Sequence, residues 1–82
     1  MVINTLRKTL RSRGNKLLIS ELVAARKRAE LTQRQLAEKL KRPHSFIGRI
    51  EAGERRVDVV EFIEITRVLA IDPRIILTRL MK

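Results

Sequence analysis

Apolar residues in the middle of the chain recur at the three- and four-residue intervals of an α-helix. Two short apolar stripes lie on either side of residues 41–44, and they consist of Leu36, Ala37, Leu40, Ile47 and Ile50. This pattern predicts two short helices joined by a tight turn, of which the second spans about residues 44–52. Helices that cross at a sharp angle need a small residue where they touch, and Ala37 fits that position.

Three further positions carry the residues that begin helices. Each has a side chain that can accept a hydrogen bond from the first turn, followed by a Gln or Glu that returns the bond or by a proline. These pairs are Thr32 with Gln35, Asp58 with Glu61, and Asp72 with Pro73.

The apolar spacing between these starts predicts the remaining helices. One runs from Lys16 or Ser20 to Glu30, another covers about residues 58–70, and the last covers about 73–81. No segment shows the sustained alternation of a strand. We therefore expect an all-α fold, a compact bundle of about five short helices.

The charge of the chain restricts its partners. Its 82 residues suit one small domain, and 19 Lys and Arg against 9 Asp and Glu give a net charge of +10. Such a balance favours a polyanion, with nucleic acid first and an anionic membrane surface second. The chain has no Trp or Tyr and only two Phe, which argues against proteins that stack single-stranded bases on aromatic side chains.

The composition also argues against an enzyme. Without cysteine there is no disulfide framework, no Cys-based zinc site and no thiol catalysis. The single histidine, His44, has no nucleophile and carboxylate in a recognisable motif around it, so we expect neither a cofactor nor a metal. Apolar runs are too short to span a bilayer and no secretory signal is seen, which favours a cytoplasmic protein.

A helix pair that shows polar and basic groups outward in a basic chain suggests a DNA-reading helix-turn-helix. The sequence resembles the lambda-repressor-like (Xre/Cro-type) family over about residues 17–80. The resemblance rests on Leu31-Thr32-Gln33, Leu36-Ala37, Leu40, Ser45, Ile47, Ile50-Glu51 and Gly53. Such a family implies a DNA-binding domain in a protein of bacterial or phage origin.

Two positions depart from the family pattern. Lys41 stands where the turn usually has glycine, and Pro43 stands where the second helix usually has a Ser or Thr cap. A left-handed lysine would cost about 1 kcal/mol. We therefore expect a turn that differs in detail from that of the family.

The resemblance implies which residues contact DNA. Those that face the bases would be His44, Ser45 and Arg49, with Phe46 at the edge. In the family, the residue at the place of Gln33 and the loop that holds Arg55 and Arg56 contact phosphate, and Thr32 and Arg34 would help. Arg42 stands where the family usually has an apolar residue. Pro43 holds Arg42 extended, so we expect it to point outward and to add a phosphate contact near the groove. Two alternatives are that Phe46 packs at the edge of the core and that Ser45 bonds its own backbone. A third is that Arg55 and Arg56 form an ordinary solvated pair.

An ion pair is also implied by the family, between an arginine at the place of Arg26 and a glutamate at the place of Glu51. It would tie the first helix to the end of the reading helix. The alternative is that both are separate exposed charges of little energetic value.

Residues 1–16 form a basic extension before a helix-turn-helix domain of residues 17–82. Apolar residues on one face predict a short helix over Val2–Ser12 that Gly14 ends, and Asn15 can cap the following helix. One interpretation is an arm that touches phosphate or the minor groove, and the other is a solvated leader.

A single small domain contacts few base pairs, and the resembling family usually binds as a two-fold dimer on an inverted repeat. Its half-sites would lie about 34 Å apart. We expect residues 73–82, with part of the preceding helix, to form the dimer interface through Ile75, Ile76 and Leu80. The alternative is that all three pack inside one subunit.

The function predicted is a sequence-specific regulator of transcription on double-stranded DNA, and a repressor in particular. One alternative is the antitoxin of a toxin–antitoxin module, with a toxin or another regulator as protein partner. It would need a toxin-binding extension, for which residues 1–19 are the only candidate. A restriction–modification controller is another alternative, and gene neighbourhood would separate the three. A membrane-surface peptide would explain the charge but not the paired caps.

Overall fold

The computed structural model describes residue 10 and residues 12–82, and this part of the chain consists of helices joined by turns, without strands. Five helices are α1 (Arg13–Arg28), α2 (Gln33–Lys39), α3 (Phe46–Glu51), α4 (Val59–Val68) and α5 (Pro73–Leu80). The predicted all-α fold is confirmed. The predicted helix over Val2–Ser12 and the basic arm lie outside the described residues, apart from their last positions.

Three of the helices begin at the caps that the sequence predicted. In the first, Thr32 Oγ1 accepts a bond from the Gln35 N–H at 3.0 Å, and Gln35 Oε1 accepts one from the Thr32 N–H at 2.9 Å. Asp58 and Glu61 form the same reciprocal pair at α4. Asp72 caps α5, which begins with proline.

The start of α1 was predicted wrongly. Ser12 is its cap, because its Oγ accepts a bond from the Asn15 N–H at 3.1 Å, while the Asn15 amide donates backward to the Leu10 carbonyl at 2.8 Å. Gly14 therefore lies in the first turn of α1 rather than at a helix end. The helix also crosses the boundary placed between residues 16 and 17, while the division into extension and domain stays a prediction.

The first four helices all end in the same turn. In each, a residue with positive φ follows the helix, and the next N–H bonds back to a carbonyl five residues earlier. The left-handed residues are Glu30 (59°), Lys41 (58°), Gly53 (76°) and Ala70 (56°). The returning bonds are Leu31 to Arg26, Arg42 to Ala37, Glu54 to Arg49 and Ile71 to Thr66, at 2.9–3.2 Å.

Lys41 therefore adopts the left-handed conformation itself, and the expected difference in the turn is not seen there. A side chain in this conformation costs about 1–2 kcal/mol relative to glycine. The cost is tolerated because the turn satisfies carbonyls that a helix end would otherwise leave unpaired.

One apolar core holds the helices together. Its buried members are Leu22, Ala25, Leu36, Ala37, Phe46, Ile47, Ile50, Phe62, Ile65, Leu69 and Ile76. Both predicted stripes of the helix pair contribute to it. Ala37 is completely buried, and its helix packs on α3. Since α3 also packs on α1, its inner face is fixed from two sides.

Candidate nucleic-acid interface

The C-terminal end of α3 is fixed by an ion pair to α1. Arg26 donates from Nε to Glu51 Oε2 at 2.7 Å and from Nη2 to Glu51 Oε1 at 3.0 Å. Its Nη1 donates to the Leu31 carbonyl at 2.8 Å, and both charged side chains are only about a tenth exposed. The two residues that the family pattern pairs are thus joined through a forked contact.

Gln33 connects the start of α2 to the same carboxylate. Its Nε2 donates to Glu51 Oε1 at 2.8 Å, so the side chain extends from α2 to α3. A Cβ on Gly48 would lie 3.2 Å from Gln33 Oε1, which is tighter than ordinary contact. The absence of a side chain at Gly48 therefore lets Gln33 lie close to α3.

The residues at the start of α3 have exposed polar side chains. His44 and Ser45 lie in the turn just before the helix, which begins at Phe46 rather than at residue 44. Ser45 is the cap residue by position, yet its hydroxyl makes no capping hydrogen bond. Arg49 is exposed one turn further along α3. These three side chains form no hydrogen bond or ion pair with any residue that the structure describes.

Phe46 is placed differently from its predicted role. It is 7% exposed and belongs to the core, so its ring is not available to the edge of a base. The guanidinium carbons of Arg42 and Arg55 lie 5.0 and 4.7 Å from the ring centroid. The ring was predicted to read DNA, and instead it packs against the core and supports two arginines.

Both arginines also contact Glu61, the buried capping residue of α4. Arg55 donates to Glu61 through Nη1 and Nη2, each at 2.9 Å. Arg42 reaches Glu61 Oε2 at 3.3 Å and Glu64 Oε1 at 3.4 Å. The bonds from Arg55 hold the pKa of the Glu61 carboxyl below its usual value, and the same contact raises the pKa of Arg55.

This cluster corrects the expectation that Arg42 points outward into solvent. Its guanidinium lies back over Phe46 and toward α4, with about a third of the side chain exposed. The position after a left-handed turn residue is often apolar because it packs on the preceding helix end. Here the flat guanidinium on an aromatic ring takes that place.

Comparisons with known proteins agree with this geometry. A family model described as a helix-turn-helix domain matches residues 20–74, well over half of the chain. Among solved structures, an XRE-family like protein from Pseudomonas syringae pv. tomato str. DC3000 is 39% identical, with a TM-score of 0.81 and 92% of each chain covered. No curated protein sequence matches the chain.

The chain belongs to the Xre-type helix-turn-helix family. This helix-turn-helix protein is a DNA-binding regulator. Within the described residues, no helix is both long and apolar enough to cross a membrane. In the same part of the chain, no group of three or more His, Cys, Asp or Glu side chains could hold a metal ion.

The other candidate DNA contacts of this Xre-type domain are exposed. Thr32, Gln33 and Arg34 lie at the start of α2, and Arg56 lies in the loop after α3. Arg34 and Arg56 form no side-chain hydrogen bond with the described residues, whereas Thr32 accepts its capping bond and Gln33 holds Glu51. Arg55 differs from Arg56 because its guanidinium is already bound to Glu61.

The predicted dimer residues do not share one environment. Ile76 is 0% exposed and belongs to the core, so its assignment to a dimer interface is wrong. Leu80 is half-buried against that core, and Ile75 is 47% exposed. The physical reason is helical periodicity, since neighbouring residues point about 100° apart and only one of two adjacent isoleucines can face outward.

Three residues of the site were not predicted from the sequence, and they are Gly48, Glu61 and Glu64. Glu61 was recognised only as a capping residue, although its position six residues after Arg55 offered a weak signal of a contact across the turn. The contacts of Arg42 join residues 19 and 22 positions apart and carry no local signal. Gly48 looked like an ordinary helix residue because its neighbour Gln33 comes from another helix.

Proposed function

We propose that the protein represses transcription by reading double-stranded DNA in the major groove with α3 and the two residues before it. The observation that supports this most directly is the state of His44, Ser45 and Arg49. All three are exposed, Arg49 on α3 and the other two in the turn just before it, and α3 is fixed in place by core packing and by the Arg26–Glu51 pair. Rigid placement of unbonded polar groups is what readout of base edges requires.

Each of these side chains has chemistry suited to a base edge. The guanidinium of Arg49 can donate two parallel hydrogen bonds to the O6 and N7 atoms of guanine. The imidazole of His44 can donate or accept, and the Ser45 hydroxyl can do both. Arg49 is therefore the residue that we expect to contribute most to discrimination between base pairs.

Contacts to the phosphates would position the domain without reading sequence. Arg34 and Arg56 are exposed cations on either side of α3 in the chain, and both can bind phosphate. The Thr32 hydroxyl accepts its capping bond and still has a hydrogen to donate. Gln33 uses one amide hydrogen on Glu51 and has a second for a phosphate oxygen.

We also propose a two-fold dimer on an inverted repeat, with half-sites about 34 Å apart. Its surface is revised from the sequence prediction, because Ile76 is buried. The exposed apolar side chains are Ile75 and Leu77 on α5 and Met81 just after it. Sedimentation at high micromolar concentration should show a dimer, and Leu77→Glu should shift it toward monomer. A wild-type protein that stays monomeric with DNA present would contradict the dimer.

The groove assignment is tested by selection of bound sequences from random duplex DNA, followed by titrations of three variants. Arg49→Ala should lose about 1–3 kcal/mol on the selected sequence and relax the preference at one base pair. Arg56→Ala should weaken binding to all duplexes alike. Arg67→Ala removes the same charge from the last turn of α4 and serves as the control for charge alone.

Two results would count against this function. The first is an Arg49→Ala variant with unchanged sequence preference, which would remove α3 from the major groove. The second is a selection that yields no preferred sequence, which would reduce binding to charge attraction. Repression itself is measured separately, with a reporter gene placed behind the selected sequence.

A further inference from the structure

Two arginines share the Glu61 carboxylate unequally. Arg55 forms two bonds of 2.9 Å to it and a third of 2.8 Å to the Arg56 carbonyl. Arg42 forms one bond of 3.3 Å to Glu61 and one of 3.4 Å to Glu64. Charge-assisted bonds of this type are normally 2.7–2.9 Å long, so the contacts of Arg42 are weak and those of Arg55 are strong.

Arg42 also keeps more unused N–H donors than Arg55. A guanidinium has five N–H groups, and Arg55 uses three of them on the protein while Arg42 uses two. The Glu64 partner of Arg42 is itself nearly half exposed. An exposed pair of this kind is worth little, so another anion can displace Glu64 at low cost.

The position of Arg42 places these free donors beside the proposed reading face. Arg42 is separated from His44 by Pro43 alone, and its guanidinium rests on Phe46, the first residue of α3. The contact with the ring places the guanidinium near that helix start. A phosphate at the start of α3 would therefore lie near the Arg42 guanidinium.

We propose that Arg42 exchanges partners when the protein binds DNA, leaving Glu64 for a backbone phosphate while Arg55 stays on Glu61. Glu64 is then a positioning residue that restrains Arg42 in the free protein and lowers the affinity for every duplex equally. The inference rests on the proposed function, since it assumes that the start of α3 approaches DNA. It assigns different roles to two arginines that look equivalent in the sequence.

A double-mutant cycle on DNA binding tests the exchange. Glu64→Gln removes the competing charge and should tighten binding about two- to fivefold, the range expected for one exposed pair. Arg42→Gln should weaken binding and reduce the slope of log affinity against log salt by about one. In the Arg42→Gln background, Glu64→Gln should no longer tighten binding beyond a general charge effect.

A matched control measures that general effect. Glu38→Gln removes one exposed carboxylate from α2, and no described residue pairs with it. Its effect on affinity should be the same with Arg42 present and with Arg42→Gln. Glu64 and Arg42 are both partly exposed, so these variants should fold, and thermal unfolding checks that they do.

The outcomes separate the two proposals. If Glu64→Gln tightens binding equally in both Arg42 backgrounds, the effect is charge alone and the exchange is overturned. An unchanged salt slope for Arg42→Gln would also overturn it, because no phosphate contact would have been lost. If the wild-type protein binds no duplex at all, the proposed function fails with it.

Discussion

The two ends of α3 are both attached to the rest of the protein by arginine and glutamate, but in different ways. At the C-terminal end, Arg26 and Glu51 form a forked pair that is about nine-tenths buried. At the N-terminal end, Arg42 and Arg55 meet Glu61 with about a third of each arginine exposed. Both carboxylates are buried, so the two ends differ in how far water reaches their arginines. We call the C-terminal end the closed end and the N-terminal end the open end.

This difference separates two tasks of a reading helix. A closed pair fixes the orientation of α3, because charges removed from water must keep their partners. At the other end, Arg42 is held more loosely than Arg55 and keeps donors for a third partner. The base-facing candidates His44 and Ser45 lie at the open end, where Arg42 can change its partner at a low cost in free energy.

The largest loss of stability is expected from removing the Arg26–Glu51 pair at the closed end. Glu51→Ala leaves Arg26 without its carboxylate and Gln33 without its acceptor, and should lower the free energy of unfolding by about 2–4 kcal/mol. Urea unfolding at pH 7 measures this. Arg74→Ala, which breaks a mostly exposed pair, should leave the midpoint nearly unchanged. Equal effects of the two variants would remove the distinction between closed and open pairs.

A smaller effect is expected at the open end, and it should depend on pH. Glu61→Gln should lower the free energy of unfolding by about 1–2 kcal/mol at pH 7, less than at the closed end because water screens both arginines. The pKa of Glu61 is lowered on folding by its bonds with Arg55. Its contribution is therefore complete above the usual value of 4.5 and is lost as the pH falls through the lower folded-state pKa.

Urea unfolding of wild type and Glu61→Gln from pH 7 to pH 3 would show this. The two curves of unfolding free energy should converge as the pH falls below 4.5. A constant difference across that range would mean that the charge of Glu61 contributes nothing and that the variant acts through packing alone.

The smallest change in stability is expected at the left-handed residues in the turns near the two ends of α3. Glu30 follows α1 near the closed end and Lys41 precedes Arg42 at the open end, each with a φ near 60°. Glycine adopts this conformation without strain, so Lys41→Gly should raise the free energy of unfolding by about 0.5–1 kcal/mol. Thermal unfolding measures it, and Ala70→Gly at the end of α4 provides a matched site. If neither variant gains stability, the left-handed residues carry no strain worth relieving.

Prediction from sequence succeeded where the signal was local. The capping pairs at Thr32 and Asp58 lie three residues apart, and their geometry follows from the helix itself. It failed where the partner lies far along the chain. Phe46 has the periodicity of a surface position as much as of a core position, and only its packing into the apolar core, beneath Arg42 and Arg55, decides between them.

The sequence alone determined the helical class, the order of the helices and where three of them begin, because apolar period and capping act within a few residues. The tertiary structure alone decided that Ile76 faces the core and that Gly48 makes room for Gln33. It also decided that Arg42 and Arg55 both bind Glu61 and lie over the Phe46 ring. Those outcomes depend on the angles at which helices cross. Helix angles come from the whole core packing at once, and no short stretch of residues specifies them.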